Sequence, residues 1–150
     1  MRMRTPIARA LSVVSIVTLV CLASACGNDS PASPTPNITT NTVTFSTQIQ
    51  QQILTPACTG CHTDEGRTPS SGLNLKTGAA YAQLVGVASV GKAGAIRVIA
   101  GNPSGSYLIQ KLEGASDIVG LRMPRNGPPF LTDAQVALIR QWIQNGAPNN

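Results

Sequence analysis

The sequence predicts an all-α domain of about three to five short helices joined by long connections rich in glycine and proline. Apolar residues recur at helical spacing before residue 58 and again near the C-terminus. No stretch alternates apolar and polar residues for long enough to require a sheet. Connections of this length are uncommon in a small helical domain unless something besides its own side chains organises the interior.

The first predicted helix leads directly into Cys58. Phe45, Ile49 and Ile53 fall at four-residue intervals among polar residues, so one face of this helix would be apolar. Pro56 should end or bend the helix, because the residue before a proline is pushed away from helical geometry. Two short helices are expected further along, one in AAYAQLVGVAS and one in SGSYLIQKLEG.

The last helix has the clearest signals, within LTDAQVALIRQWIQNG. Thr132 and Gln135 have the spacing of a capping box, and Leu131 and Val136 that of a hydrophobic staple. Gly146 suits the C-terminal cap. The apolar face, which we interpret as core packing, consists of Val136, Ile139, Trp142 and Ile143.

Residues 1–26 have the order of a secretory signal: a basic start with three arginines, an apolar run, and small residues. A transmembrane helix is the alternative, although the run at 10–25 is short beside the roughly 20 residues that a span needs. LASAC, which ends at Cys26, resembles the lipobox of bacterial lipoproteins, in which this cysteine carries the lipid. We therefore expect an exported, periplasmic protein anchored to the membrane at Cys26, with simple cleavage near Ala25 as the alternative.

The signal changes how the charge is interpreted. Removing Arg2, Arg4 and Arg9 from the eleven basic residues leaves eight against six acidic residues, so the formal charge falls from +5 to +2. The remaining basic residues are scattered and not interleaved with aromatic ones. The sequence therefore gives no reason to expect a nucleic-acid partner.

Residues 27–44 contain three prolines and many hydroxyl side chains, and almost nothing that could be buried. Such a segment cannot offset the entropy of ordering, so it should be a flexible tether. The rest of the chain, 45–150, is predicted to be one domain.

The chain has four cysteines and one histidine. Cys21 and Cys26 lie in the signal, which leaves Cys58 and Cys61 in the domain, and with His62 they form C-x-x-C-H, the attachment signature for c-type haem. Two thiols three positions apart on a helical turn point to the same side, where both can bond to one edge of a porphyrin. The adjacent imidazole can then bind the iron.

Three other interpretations of the two cysteines remain. A thioredoxin-like thiol pair would need a preceding strand in a βαβ context. A structural zinc site needs four ligands, whereas the mature chain offers only three cysteine or histidine side chains. A disulfide between neighbours so close would close too small a loop to stabilise much.

Met123 is the only methionine outside the signal, about sixty residues after His62. It lies in GLRMPRNGPPF, where glycine and proline favour a rigid loop, whereas a core methionine usually lies on an apolar helical face. We therefore predict that Met123 is the second axial ligand of the iron. For the carbonyl that would orient His62 through its other ring nitrogen, Pro69 is a candidate.

With these residues, the chain resembles the small monohaem cytochromes c of the class I type, and in particular the short cytochrome c domains of exported bacterial proteins. The matching segments are ILTPACTGCH at 53–62, AGNPSGSYLIQKL at 100–112, RMP at 122–124 and LTDAQVALIRQWIQNGA at 131–147. The resemblance covers the domain without the tether. It implies a cytochrome c fold, in which the first and last helices cross with Trp142 near their contact around one covalently attached haem c.

If His62 and Met123 both bind the iron, no coordination position is open to a substrate. The predicted function is then outer-sphere electron transfer between redox proteins through brief contacts, and not catalysis. A haem-based sensor or gas-binding module, with a labile sixth ligand, is the alternative. Five basic residues could pair with haem propionates or steer an acidic partner, although solvated positions are the simpler interpretation: Lys76, Lys92, Lys111, Arg122 and Arg125.

Overall fold

A computed structural model describes residues 42–66 and 68–150 of the chain. The predicted signal with Cys26, and the predicted tether up to residue 41, lie outside the described residues. The helices are a π-helix at Phe45–Leu54, α1 at Thr55–Cys58, α2 at Ala80–Leu84, α3 at Tyr107–Glu113 and α4 at Asp133–Gln144. A 3₁₀ turn lies at Ser70–Gly72. Within the described residues there are helices and isolated bridges but no strand, in agreement with the predicted all-α class.

The predicted first helix is present, but most of it is a π-helix. The Ile49 N–H bonds to the Thr44 carbonyl, five residues back, at 3.3 Å. The winding changes to α at Thr55, and Pro56 falls in the first turn of α1, where the N–H that proline lacks is least needed. Pro56 therefore does not end the helix, which continues to Cys58.

Helix α4 begins and packs as its sequence predicts. The Gln135 N–H donates to the Thr132 hydroxyl at 3.2 Å, and the Thr132 N–H donates to the Gln135 side-chain oxygen at 2.9 Å, so the capping box is complete. Trp142 is fully buried, and its ring centroid lies 5.1 Å from that of Phe45. The π-helix and α4 are thus held together by an aromatic contact within one hydrophobic core.

The C-terminal residues close the same core. The backbone carbonyl of Asn150 accepts a 2.8 Å hydrogen bond from Ser46, and its side-chain oxygen accepts one of 2.8 Å from the Phe45 N–H. These bonds use N–H groups that the first helical turn leaves without partners. Val43 is also buried in the core, so the packed part of the chain begins before Phe45.

An irregular segment connects α2 to α3. It contains short bridges between Val85 and Val98 and between Ala88 and Ile96. Glu113, at the end of α3, forms a bidentate ion pair of 2.8 and 2.7 Å with Arg140 of α4. Over the described ranges, every helix falls short of the length and hydropathy that a bilayer-spanning segment requires.

Candidate haem site

A cavity of about 640 Å³ lies beside the C-x-x-C-H segment. Its walls come from this segment, the turn at 70–75, parts of the segment 89–97, helix α3 and the loop 119–126. Cys58, Cys61, His62 and Met123 all line it. The structure therefore brings together the four residues that the sequence predicts for the site, although about sixty positions separate Met123 from the others.

Both thiols are free. Cys58 is the last residue of α1, and the helical turn continues through hydrogen bonds from the Cys61 and His62 N–H groups to the Cys58 carbonyl, at 3.2 and 3.0 Å. Burial raises the pKa of the Cys58 thiol to about 11. Reactive redox thiols have a lowered pKa, so this environment does not favour a thioredoxin-like role.

A backbone carbonyl orients the His62 ring. Nδ1 lies 3.1 Å from the Ser70 oxygen, and since a carbonyl oxygen only accepts, Nδ1 carries the proton and donates. The lone pair of Nε2 is then available to a metal. The prediction of Pro69 is wrong by one residue, because the Ser70 N–H bonds to the Cys61 carbonyl at 3.1 Å and draws Ser70 itself against the motif.

The environment also favours the neutral form of this imidazole. Burial is the main cause that lowers the pKa of His62, and the positive charge of Arg97 lowers it further. The hydrogen bonds to the backbone at Ser70 and Leu73 act in the opposite direction. A neutral imidazole is the form that binds metals.

Helix α3 holds the loop that carries Met123. The Met123 N–H donates to the Lys111 carbonyl at 2.9 Å, and the Lys111 ammonium donates to the carbonyls of Val119, at 3.0 Å, and Leu121. The Val119 N–H donates to the Tyr107 hydroxyl at 2.9 Å. The loop has no regular structure of its own, so these bonds to α3 set the position of the Met123 backbone.

Four of the five basic residues considered as partners of haem propionates have contacts within the described residues. Lys76 pairs with Asp64 at 2.8 Å, and Lys92 pairs with Asp117 at 2.6 Å. Lys111 bonds to the loop carbonyls described above. The Arg122 guanidinium donates to the Leu112 carbonyl at 2.7 Å and lies over the Phe130 ring. These four side chains therefore have structural contacts.

Sequence reasoning missed Arg97, which is buried in the cavity wall. It is the one charged residue in the apolar stretch AIRVIAG, and this pattern could have predicted a buried charge. Of the aromatic residues, Tyr107 lines the cavity, whereas Trp142 belongs to the core.

The residues around the cavity fit a haem of the c type. The volume is in the range of roughly 300–1,000 Å³ that is usual for cofactor pockets. Imidazole and thioether are the donor pair of cytochromes c. Among the described residues, no group of three or more histidine, cysteine and acidic side chains is arranged to hold a metal ion by itself. Comparisons with protein-family models, with curated proteins and with solved structures found no match to this chain.

Proposed function

We propose that this protein is an exported c-type cytochrome that carries single electrons between redox proteins. Haem c would be attached through Cys58 and Cys61, with His62 and Met123 as axial ligands, in a domain with the cytochrome c fold. The observation that carries the proposal is the shared cavity: two free thiols, an oriented imidazole and the only methionine outside the predicted signal line one space.

The bound haem would supply an iron centre that alternates between the ferric and ferrous states. Cys58 and Cys61 would each hold the haem through a carbon–sulfur bond, formed by addition of the thiol across a vinyl double bond with its hydrogen moving to the neighbouring carbon. His62 presents Nε2 because Nδ1 donates to the Ser70 carbonyl. Met123 would supply a soft, neutral donor that favours the ferrous state and raises the reduction potential.

The remaining parts of the chain fit this role. If Cys26 is lipidated, the predicted tether, which ends before the buried Val43, would link the domain to its anchor and raise its effective concentration near a partner. Electron-transfer contacts are small and brief, typically below about 1,200 Å². An anchored carrier of this kind would exchange electrons with periplasmic or membrane-bound redox proteins.

The optical spectrum of the protein, expressed with haem maturation machinery, tests the proposal. We expect a sharp α band in the reduced form and a weak far-red band in the oxidised form. Met123→Ala should abolish the far-red band but keep the covalent haem, whereas Cys58→Ser with Cys61→Ser should remove covalent attachment. Leu121→Ala, at an exposed residue of the same cavity, is the control and should keep both bands.

Two results would contradict parts of the proposal. A colourless wild-type protein under these conditions would overturn the assignment as a cytochrome. A coloured wild-type protein whose ferrous form binds CO readily would show that the sixth position is labile. It would favour the alternative function of a gas-binding or sensor module.

A further inference from the structure

Gln50 is a buried amide on the helix that precedes the C-x-x-C-H segment. The residue is 2% exposed. Its Nε2 donates to the Thr55 hydroxyl at 3.1 Å and to the Leu75 carbonyl at 2.9 Å, so both of its hydrogens are used. Oε1 has no partner among the described residues. Burying an amide is unfavourable unless hydrogen bonds compensate, so these two bonds are the polar contribution of the side chain.

The two acceptors belong to different segments around the motif. Thr55 is the first residue of α1, the helix that leads into the motif. Leu75 lines the cavity, and its N–H donates to the His62 carbonyl at 2.7 Å. Leu75 is therefore held at its carbonyl by Gln50 and at its N–H by His62.

The turn that ends at Leu75 also holds the His62 ring. Nδ1 of His62 donates to the Ser70 carbonyl at 3.1 Å. Residues 70–74 are exposed or half-buried, whereas Leu75 is buried in the hydrophobic core. Leu75 is thus the position at which this turn is packed into the domain, and Gln50 bonds to it there.

We infer that Gln50 positions His62 for iron binding by fixing Leu75 against the motif. This inference rests on the proposed function. The two bonds from Nε2 join α1 to the turn, and so determine where the Ser70 carbonyl meets the imidazole. That hydrogen bond fixes the orientation of the ring and makes the imidazole a more basic ligand. Gln50 is a positioning residue, because it acts on His62 through Leu75.

The experiment compares untagged holo-protein of the wild type with Gln50→Leu and Gln48→Leu. Leucine cannot donate a hydrogen bond, so Gln50→Leu removes both bonds from Nε2. Gln48 is the matched control. It lies on the same helix, but its side-chain oxygen accepts from the Thr44 N–H at 2.9 Å, at the end of the helix that is away from the motif.

Two properties of the holo-protein are measured. NMR of the ferrous form, labelled with isotopic histidine, gives the rate at which the Nδ1 proton exchanges with water. His62 is the only histidine, so its ring signal is identified without further assignment. Spectroelectrochemistry gives the ferrous-to-ferric ratio at a fixed ambient potential.

In Gln50→Leu the Nδ1 proton should exchange about fivefold faster, the change expected when a hydrogen bond of typical net strength is lost. The ferrous-to-ferric ratio should rise, because a less basic imidazole stabilises the ferric state less. Gln48→Leu should lower the melting temperature, because it removes a bond at the start of the helix. Its exchange rate should stay within about twofold of the wild type, because the turn is untouched.

A coloured Gln50→Leu protein with the wild-type exchange rate would overturn the inference and leave the proposed function intact. Equal acceleration in Gln48→Leu would also overturn it, since the effect would then come from a general loss of stability. If Gln50→Leu does not accumulate, Gln50→Asn decides, because its amide is shorter by one methylene group: faster exchange would support the inference, and the wild-type rate would overturn it. A colourless wild type would overturn both the inference and the proposed function.

Discussion

Removal of the Tyr107 hydroxyl should loosen the loop that carries Met123. This hydroxyl accepts a 2.9 Å hydrogen bond from the Val119 N–H, and Tyr107 is buried. In Tyr107→Phe the bond is lost, at a typical net cost of about 1 kcal/mol. If Met123 binds the iron as proposed and the bond forms only while the loop is closed, an external ligand that displaces Met123 should bind about five times more tightly.

The assay is a titration of the ferric holo-protein with imidazole, in which binding is monitored by the loss of the far-red band. Tyr81→Phe is the matched control, because the Tyr81 hydroxyl donates to the Ala147 carbonyl at 3.0 Å, in contact with the C-terminus and not with the loop. It removes a bond of the same kind and should lower stability by a similar amount. The affinity for imidazole should stay at the wild-type value.

Two results would refute this reasoning. In the first, Tyr107→Phe melts at a lower temperature but binds imidazole as the wild type does, so the bond to Val119 would not control access to the iron. In the second, Tyr81→Phe gains affinity as much as Tyr107→Phe, so the effect would come from general destabilisation. Either result would mean that the hydrogen bond between Tyr107 and Val119 does not control the position of Met123.

Two further predictions concern stability. Trp142→Ala should lower the free energy of unfolding by about 3–5 kcal/mol, measured by urea denaturation. The substitution leaves a cavity in the core and removes the hydrogen bond from the indole N–H to the Pro148 carbonyl. A loss below about 1 kcal/mol would contradict the central packing of Trp142. Glu113→Gln should cost less than about 1 kcal/mol at pH 7, because both partners of the pair with Arg140 are partly exposed. The hydrogen bond from Arg140 is the main cause that lowers the pKa of Glu113, so its contribution is present above the unfolded value of about 4.3 and is lost as the pH falls through the lower folded value. Thermal melts should therefore show that the difference between wild type and Glu113→Gln disappears in acid, and a difference that grows in acid would have the wrong sign.

The structure differs from the sequence-based predictions in the winding of the first helix and in contacts between separate segments. The π-winding of Phe45–Leu54 keeps the predicted apolar face buried. The four-residue spacing of the apolar side chains does not show whether each N–H bonds to the carbonyl four or five residues before it. Pro69 and Ser70 are neighbours with equivalent carbonyls, and a hydrogen bond between Ser70 and Cys61 decides between them. Met123 lines the cavity, and its role as an iron ligand stays a prediction.

The sequence by itself determined the features that depend on residues within one helical turn. These are the C-x-x-C-H segment and the capping box of Thr132 and Gln135, because helix geometry alone places residues three and four positions apart side by side. Only the tertiary structure decided which loop reaches the cavity and which cation lies in its wall. The Met123 N–H bonds to the Lys111 carbonyl in α3, and Arg97 donates to Gln83, fourteen residues away. Such contacts form only when the whole core packs, so no local pattern specifies them.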